Sequence, residues 1–413
     1  MKQIIFSNVK LVLPDRLVRG SLLVNGPVIA AVSEGPGIPP EWNSPGPGAP
    51  SNGPELINGG GLYLSPGFID IHNHGRLGCD VMDGTPDALD TIARGQAEHG
   101  VTAFLAGTST IPWEKSLKAI GQIAAYCRRV GESGGTGGLQ KDSACRAWSG
   151  ARCLGIYSEG ALFSQEKRGA HDPAYLKSVI TPADIDALLE AAGDTLKVLS
   201  LSPELPGALE AISRLAGQGI VTAAAHTNAA YDEALAGINA GFTLATHTFN
   251  AMRALSHQEP GILGAVLNDS RVSCELIADG IHLNPVILSL VYKLKGPDHI
   301  ILISDSVSAN GLPDGRYESE RRIVIVDRDS IRLEDGRLAG STLSLDRAVR
   351  NMIRLGGAGL CHAVQMASLN PARILGVDKH KGSIEAGKDA DLLLFDENIA
   401  IKKVFIGGNP FEV

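Results

Sequence analysis

Ser65-Pro66-Gly67-Phe68-Ile69-Asp70-Ile71-His72-Asn73-His74-Gly75 is an apolar run that ends in two histidines one residue apart. In an extended chain, residues i and i+2 point the same way, so His72 and His74 project from one face. Two imidazoles so placed can share a metal ion, although hydrogen bonds to nearby loops would satisfy them equally well. Farther along lie Glu159, His226, His247 and Asp305. Together these four imidazoles and two carboxylates make a donor set that suits zinc first, with iron, manganese or cobalt as alternatives. A divalent ion lowers the pKa of a water it binds and polarises a carbonyl. A neighbouring carboxylate can take that water's proton and pass it to a leaving group. Singly, each residue has a plainer reading: Glu159 as a salt-bridged turn residue, Asp305 as a helix cap, His226 or His247 as a satisfied core histidine.

The elements that must position these residues can be read from the hydrophobic pattern. Eight mostly apolar runs read as strands: 64–72, 101–108, 153–159, 196–202, 219–226, 243–249, 272–279 and 299–305. Continuous apolar runs are expected of parallel strands buried on both faces. Helical segments are expected between most of them, at 86–99, 113–130, 182–192, 207–217, 230–240 and 285–294. The alternation predicts an α/β chain built on a (β/α)8 barrel of the TIM type. Chemistry in such barrels sits at the carboxyl ends of the strands. His72 and His74 end the first run, Glu159 the third, His226 the fifth and Asp305 the eighth, while His247 lies late in the sixth. His282 follows the seventh in Asp279-Gly280-Ile281-His282. A surface scatter of histidines would not sort itself in this way.

The two ends of the chain read differently. Short alternating runs over residues 1–63 and again over 377–413 predict one small β-sandwich domain built from both termini, beside a barrel domain at 64–376. The Pro/Gly-rich run 35–54 reads as a surface loop and 131–150 as an exposed insertion. Residues 310–340 read as a hairpin-like insertion, followed by a helix at 343–355 and a helical pair at 362–375. A formal net charge of −8 without a basic run argues against nucleic acid. No apolar stretch reaches a membrane span and the start lacks a signal-peptide core, which argues against a membrane role. Six cysteines scattered without CxxC pairing read as reduced thiols and point to the cytoplasm.

These residues resemble the amidohydrolase superfamily and, within it, the N-acetylglucosamine-6-phosphate deacetylases. The resemblance runs from PGFIDIHNHG to KGSIEAGKDADLLLFD and includes Thr246-His247-Thr248-Phe249-Asn250-Ala251-Met252, Glu259-Pro260-Gly261, Ala278-Asp279-Gly280-Ile281-His282 and Leu338-Ala339-Gly340-Ser341. It implies one or two divalent ions per subunit: Glu159, His226 and His247 bind the metal common to the family. His72 and His74 would hold a second with Glu159 bridging, as in members that retain HxH, whereas others work with one. Asp305, among these ligands, looks like the general acid/base. The small-molecule substrate, an N-acetylated amino sugar, would be contacted by Ala170 and His171, Asn250 and Ala251, His282, and Leu338, Ala339 and Gly340. The implied reaction releases acetate and the free amine, and the implied assembly is a homodimer.

Three departures from the family pattern bear on this. Around the metal-binding glutamate the family has HxEGPF, whereas this chain has Tyr157-Ser158-Glu159-Gly160-Ala161-Leu162, so the pocket wall is expected to be reshaped. The family's phosphate-binding arginine before the EPG turn is Gln258 here, and an amide cannot give arginine's charge-assisted grip. Arg253 or His257 takes over the phosphate, or His171, His282 and backbone N–H groups still bind it, or the substrate is unphosphorylated or a different N-acetylhexosamine. Ser306 follows Asp305 where alanine is usual. Two other readings remain: an amidohydrolase for a different amide, disfavoured because Lys197 lies at the wrong end of the fourth strand to bridge metals, and a catalytically weak metal-binding sugar sensor.

Overall fold

The structure, a computed structural model, describes residues 2–43, 53–134, 150–319 and 322–412. Residues 44–52 of the expected loop at 35–54, and most of the expected insertion at 131–150, lie outside these residues. Eight parallel strands form the barrel: β1 (Phe68–Asn73), β2 (Val101–Gly107), β3 (Arg152–Ser158), β4 (Leu196–Leu201), β5 (Val221–Ala224), β6 (Leu244–Ala245), β7 (Ser273–Leu276) and β8 (Ile300–Leu302). They pair in sequence order from β1 to β8. The ring closes just past β8, where Asn73 bridges Ser306 and the amide of Asp305 donates to the carbonyl of His72 at 2.9 Å. Buried Asp70 pins the same seam, accepting from Ser304 Oγ at 2.5 Å and from Gln96 Nε2 at 2.9 Å.

The outer helices are α1 (Pro86–Ala97), α2 (Trp113–Gly134), α3 (Pro182–Ala192), α4 (Ala208–Ala216), α5 (Tyr231–Ala240), α6 (Gly261–Asn268), α7 (Pro285–Lys295) and α8 (Leu345–Arg354), then α9 (Leu360–Ala367) and α10 (Leu369–Ile374). Helix α6 was not expected. Its sequence, GILGAVLN, is apolar nearly throughout, so it carries no amphipathic period to read.

The termini build one mixed sheet. Its strand order is 409–411, 401–406, 392–395, 63–66, 3–12, 17–25 and 28–34, and 55–58 also pairs with 3–12. Phe6 and Phe405 lie three strands apart along it, roughly 14 Å if the sheet were flat, yet their ring centroids are 4.9 Å apart. The sheet therefore curls over a core of its own that includes Phe6, Leu22, Leu392 and Phe405. The expected first barrel strand, 64–72, is split. Tyr63–Pro66 belongs to the terminal sheet, and Gly67 marks the change, where a Cβ would meet Thr102 Oγ1 at 2.1 Å.

The insertion after β8 is not a hairpin but a three-stranded antiparallel sheet of Gly315–Ser319, Arg322–Asp327 and Ser330–Leu333. Alternation puts Arg322, Val324 and Val326 on one face. Val324 and Val326 pack with Ile331, Leu333, Ala309 and Ala339, so this face is turned towards the barrel mouth. No helix among the described residues is long and apolar enough to cross a membrane.

Candidate active site

At the barrel mouth, the backbone leaves the strand conformation where the reactive side chains begin. His226, His247 and Asp305 have φ values of 45°, 28° and 48°, and Phe249 and Ala251 follow at 79° and 52°. Left-handed backbone is disfavoured for side chains with a Cβ and, where it persists, tends to cluster at functional sites. It also explains why β6 holds only Leu244 and Ala245 although the apolar run continues: the chain turns inward to aim His247.

The side chains converge on Glu159, which is 3% exposed. Its Oε2 lies 3.2 Å from His72 Nε2 and 3.0 Å from His74 Nε2. Its Oε1 lies 3.2 Å from His247 Nε2 and 3.4 Å from His226 Nε2. One carboxylate is thus divided between two histidine pairs, and within each pair the Nε2 atoms are 3.1 Å apart. Thr108 Oγ1 accepts from the Glu159 amide at 3.1 Å and fixes the main chain there. Asp305 Oδ1 sits 3.4 Å from His74 Nε2 and 3.7 Å from His72 Nε2.

This crowding perturbs every group. Burial opposes ionisation of Glu159, but the facing histidines outweigh it and hold its carboxyl well below the usual range. Burial likewise opposes a proton on His74, yet hydrogen bonds to Asp305 and Glu159 raise its pKa to about 10. Asp305 is desolvated too, but His74 and His72 draw it down to about 2, so it is an ionised base at neutral pH. His226 is pushed down by burial despite Glu159, and His171 falls well below its ordinary value from burial and the neighbouring His226. His226 Nδ1 donates to the carbonyl of Lys167 at 2.9 Å, which leaves the Nε2 lone pair facing inward. Four imidazole Nε2 atoms crowded about one anionic carboxylate form a cage that calls for a cation, and a divalent ion can displace the protons it holds. His72, His74 and Asp305 group closely enough to hold one ion, as do Glu159, His171 and His226. The donor set therefore fits a divalent metal.

Above the cage lies a cavity of about 300 Å³. His74, Glu159, His226, His247 and Asp305 line it, as do Ala170, His171, Asn250, Ala251, His282, Leu338, Ala339 and Gly340. Fully buried His72 sits behind His74. His282 is oriented by Asp279, whose Oδ2 lies 2.6 Å from Nδ1. Gln258 is the exception among the expected site residues. It is exposed and does not line the cavity, because the turn is held from below by Glu259, which accepts from the amides of Tyr231 and Gly261. Arg253 and His257 do not line it either. The arginines that do are Arg322, on the inserted sheet, and Arg337, which also donates to the carbonyl of Gly169 at 2.5 Å.

Neither arginine stood out in sequence, since only the folded insertion brings them to the mouth. Glu275 was also missed. It is a fully buried carboxylate within β7, 3.0 Å from His72 Nδ1, and the signal for it was a charge inside the apolar run Val272–Asp279. The reshaped wall beside Glu159 has a concrete form. Ala161 adopts φ 64°, which proline, fixed near −65°, cannot.

Residues 147–411 match the model of the amidohydrolase family. The N-acetylgalactosamine-6-phosphate deacetylase of Escherichia coli O157:H7 is 39% identical over 345 residues, 84% of this chain and 86% of its own. The N-acetylglucosamine-6-phosphate deacetylase of Vibrio furnissii is 36% identical over 349 residues, 84% and 83% of the two chains. Among solved structures, a mutant N-acetyl-D-glucosamine-6-phosphate deacetylase from Mycobacterium smegmatis, in complex with N-acetyl-D-glucosamine-6-phosphate, has a TM-score of 0.86 at 30% identity across 100% of both chains. Similarity of this extent, over the segment that carries Glu159, both later histidines and Asp305, settles descent: the chain belongs to the amidohydrolase family.

Proposed function

We propose that this chain hydrolyses the acetamide of N-acetylglucosamine 6-phosphate, giving acetate and the free amino sugar. The observation that carries the reading is Asp305, an ionised carboxylate 3.4 Å from His74 at the floor of a cavity whose donors suit a divalent metal. Glu159, His226 and His247 would hold one ion, and His72 and His74 a second with Glu159 shared; zinc suits the nitrogen-rich set best. A bound divalent ion supplies Lewis acidity, polarising the acetamide carbonyl and acidifying water.

The chain's own residues do the rest. Asp305 takes a proton from the attacking water as the new C–O bond forms, then returns it to the amide nitrogen as the C–N bond breaks. His171, neutral by burial, and His282, with Nδ1 held by Asp279, offer hydrogen bonds to sugar oxygens, as do Asn250 and the main chain at Ala251. Leu338, Ala339 and Gly340, beneath the inserted sheet, limit water at the reacting carbon. A cavity of about 300 Å³ is at the small end of ligand sites and suits one sugar unit.

A second reading, the galacto epimer, is favoured by the 39% identity to an N-acetylgalactosamine-6-phosphate deacetylase. The exposed Gln258 keeps the unphosphorylated sugars in play as well, although Arg322 brings positive charge to the cavity, as does Arg337 to the extent that its ion pair with Asp335 leaves it. Acetate release from gluco, galacto and manno N-acetylhexosamines, each with and without 6-phosphate, tests all of these on metal-quantified protein. No acetate from any of them would overturn the reading. We place the enzyme in the cytoplasm on its free thiols at Cys79, Cys274 and Cys361. A homodimer is the assembly proposed, supported by exposed Val286, Leu290 and Leu294, spaced four apart on one face of α7.

A further inference from the structure

Glu275 points from β7 into the barrel, fully excluded from solvent. A carboxylate is kept in such a place by the donors around it. Two donors share its Oε2: Nδ1 of His72 at 3.0 Å, and the main-chain N–H of His247 at 3.1 Å. Its other oxygen has no hydrogen-bond partner, and its one ion pair is with His72, both among the described residues. The two donors belong to the two histidine pairs that flank Glu159.

We propose that Glu275 is a positioning residue that holds His72 with its proton on Nδ1, so that the Nε2 lone pair is presented to an ion shared with His74 and Glu159. A neutral imidazole carries one N–H, and a buried anionic acceptor at Nδ1 decides which nitrogen keeps it. Ring rotation is limited as well. The Tyr157 ring packs tilted against the His72 ring, with centroids 4.5 Å apart, and its hydroxyl shares a 2.7 Å hydrogen bond with Thr246. The device is particular to this pair. His226 has only the carbonyl of Lys167 at Nδ1, and His247 Nδ1 has no partner among the described residues. Occupancy by the ion at His72 and His74 therefore depends on Glu275, and that at His226 and His247 much less.

This inference rests on the two-ion reading above, and zinc stoichiometry and affinity test it without any assay of turnover. Zinc per chain and the dissociation constant of each zinc would be measured for the wild type, Glu275→Leu, Glu275→Gln and His72→Gln, and for Glu275→Leu combined with His72→Gln. Folding is checked by circular dichroism. Glu275→Leu is expected to lose about one zinc per chain, or to bind it on the order of 10–100-fold more weakly, and to keep the other. Glu275→Gln retains an uncharged acceptor and is expected to weaken the same zinc by a smaller factor. In the His72→Gln background, Glu275→Leu should lower zinc content no further. The proposal is overturned by wild-type affinity in a folded Glu275→Leu or in Glu275→Gln, or by a further loss in the double variant. A wild type that holds one zinc, or a His72→Gln that loses none, removes the two-ion reading and this inference with it, while deacetylation around Glu159, His226 and His247 would stand.

Discussion

The amide of Asp305 donates to the carbonyl of His72 at 2.9 Å, so the proposed base and a proposed metal ligand are joined by the hydrogen bond that closes the barrel. The distance between their side chains, 3.7 Å, is a property of that seam rather than of a loop. Asp70 underlies it with bonds to Ser304 and Gln96. Asp70→Ala should cost about 2–4 kcal/mol, because it strands buried donors, and should lower kcat as well. Urea unfolding and steady-state kinetics check both; wild-type stability would mean that the seam is held elsewhere.

Asp305→Asn removes the proton acceptor with little change in shape. Turnover should fall on the order of 10²–10⁴-fold, while the metal proposed to sit among Glu159, His226 and His247 should stay. Acetate release and metal analysis on one preparation separate a lost base from a lost ion.

His72→Gln should lose about one ion per chain and keep the other, since Glu159 Oε1 still faces His226 and His247. Elemental analysis after dialysis reads this directly, and retention of both ions would make the pair structural.

Arg322 lines the cavity, and Gln258 does not. Arg322→Ala should lower kcat/KM for a 6-phosphorylated N-acetylhexosamine by about 10–100-fold, equivalent to roughly 1.5–3 kcal/mol for a charged hydrogen bond. The unphosphorylated sugar should change by less than about threefold. Equal losses on both would assign Arg322 to shaping the mouth and not to gripping phosphate.

Stability against pH is set in part by the terminal sheet. Burial raises the pKa of Asp391, but Lys381, 2.6 Å away, and Arg152 outweigh it and leave the carboxyl depressed. A depressed carboxyl stabilises the fold above its unfolded pKa, about 3.9, and that stabilisation is lost as pH falls through the folded value. Lys381 has the opposite sense. Its pKa is raised by Asp391 and Asp389 against burial, so its contribution is full below about 10.4 and lost as pH rises through the folded value. Asp391→Asn should flatten the acid limb of a Tm-against-pH curve. At neutral pH it should cost about 2–3 kcal/mol, less than a lone buried pair because Asp389 remains. An unchanged acid limb would place the sensitive carboxyl elsewhere.

Much of this protein was legible in its sequence. Continuous apolar runs alternating with helical segments specify parallel strands, because a strand buried on both faces admits little else, and the order of those runs specifies the barrel. The same runs located His72, His74, Glu159, His226, His247 and Asp305 at strand ends, since strand direction alone decides which end bears chemistry. What the one-dimensional pattern could not carry was decided by closure and by backbone conformation. The left-handed φ of His226, His247 and Asp305 exists because surrounding contacts impose it against local preference. The division of the Glu159 oxygens between two histidine pairs depends on four strands meeting at one height. Arg322 and Arg337 reach the cavity only because the insertion folds back over the mouth, and Gln258 is left outside because Glu259 holds its turn. Residue type and spacing name the chemistry, whereas the distances that make it work come from contacts between segments up to 234 residues apart, as between Asp70 and Ser304.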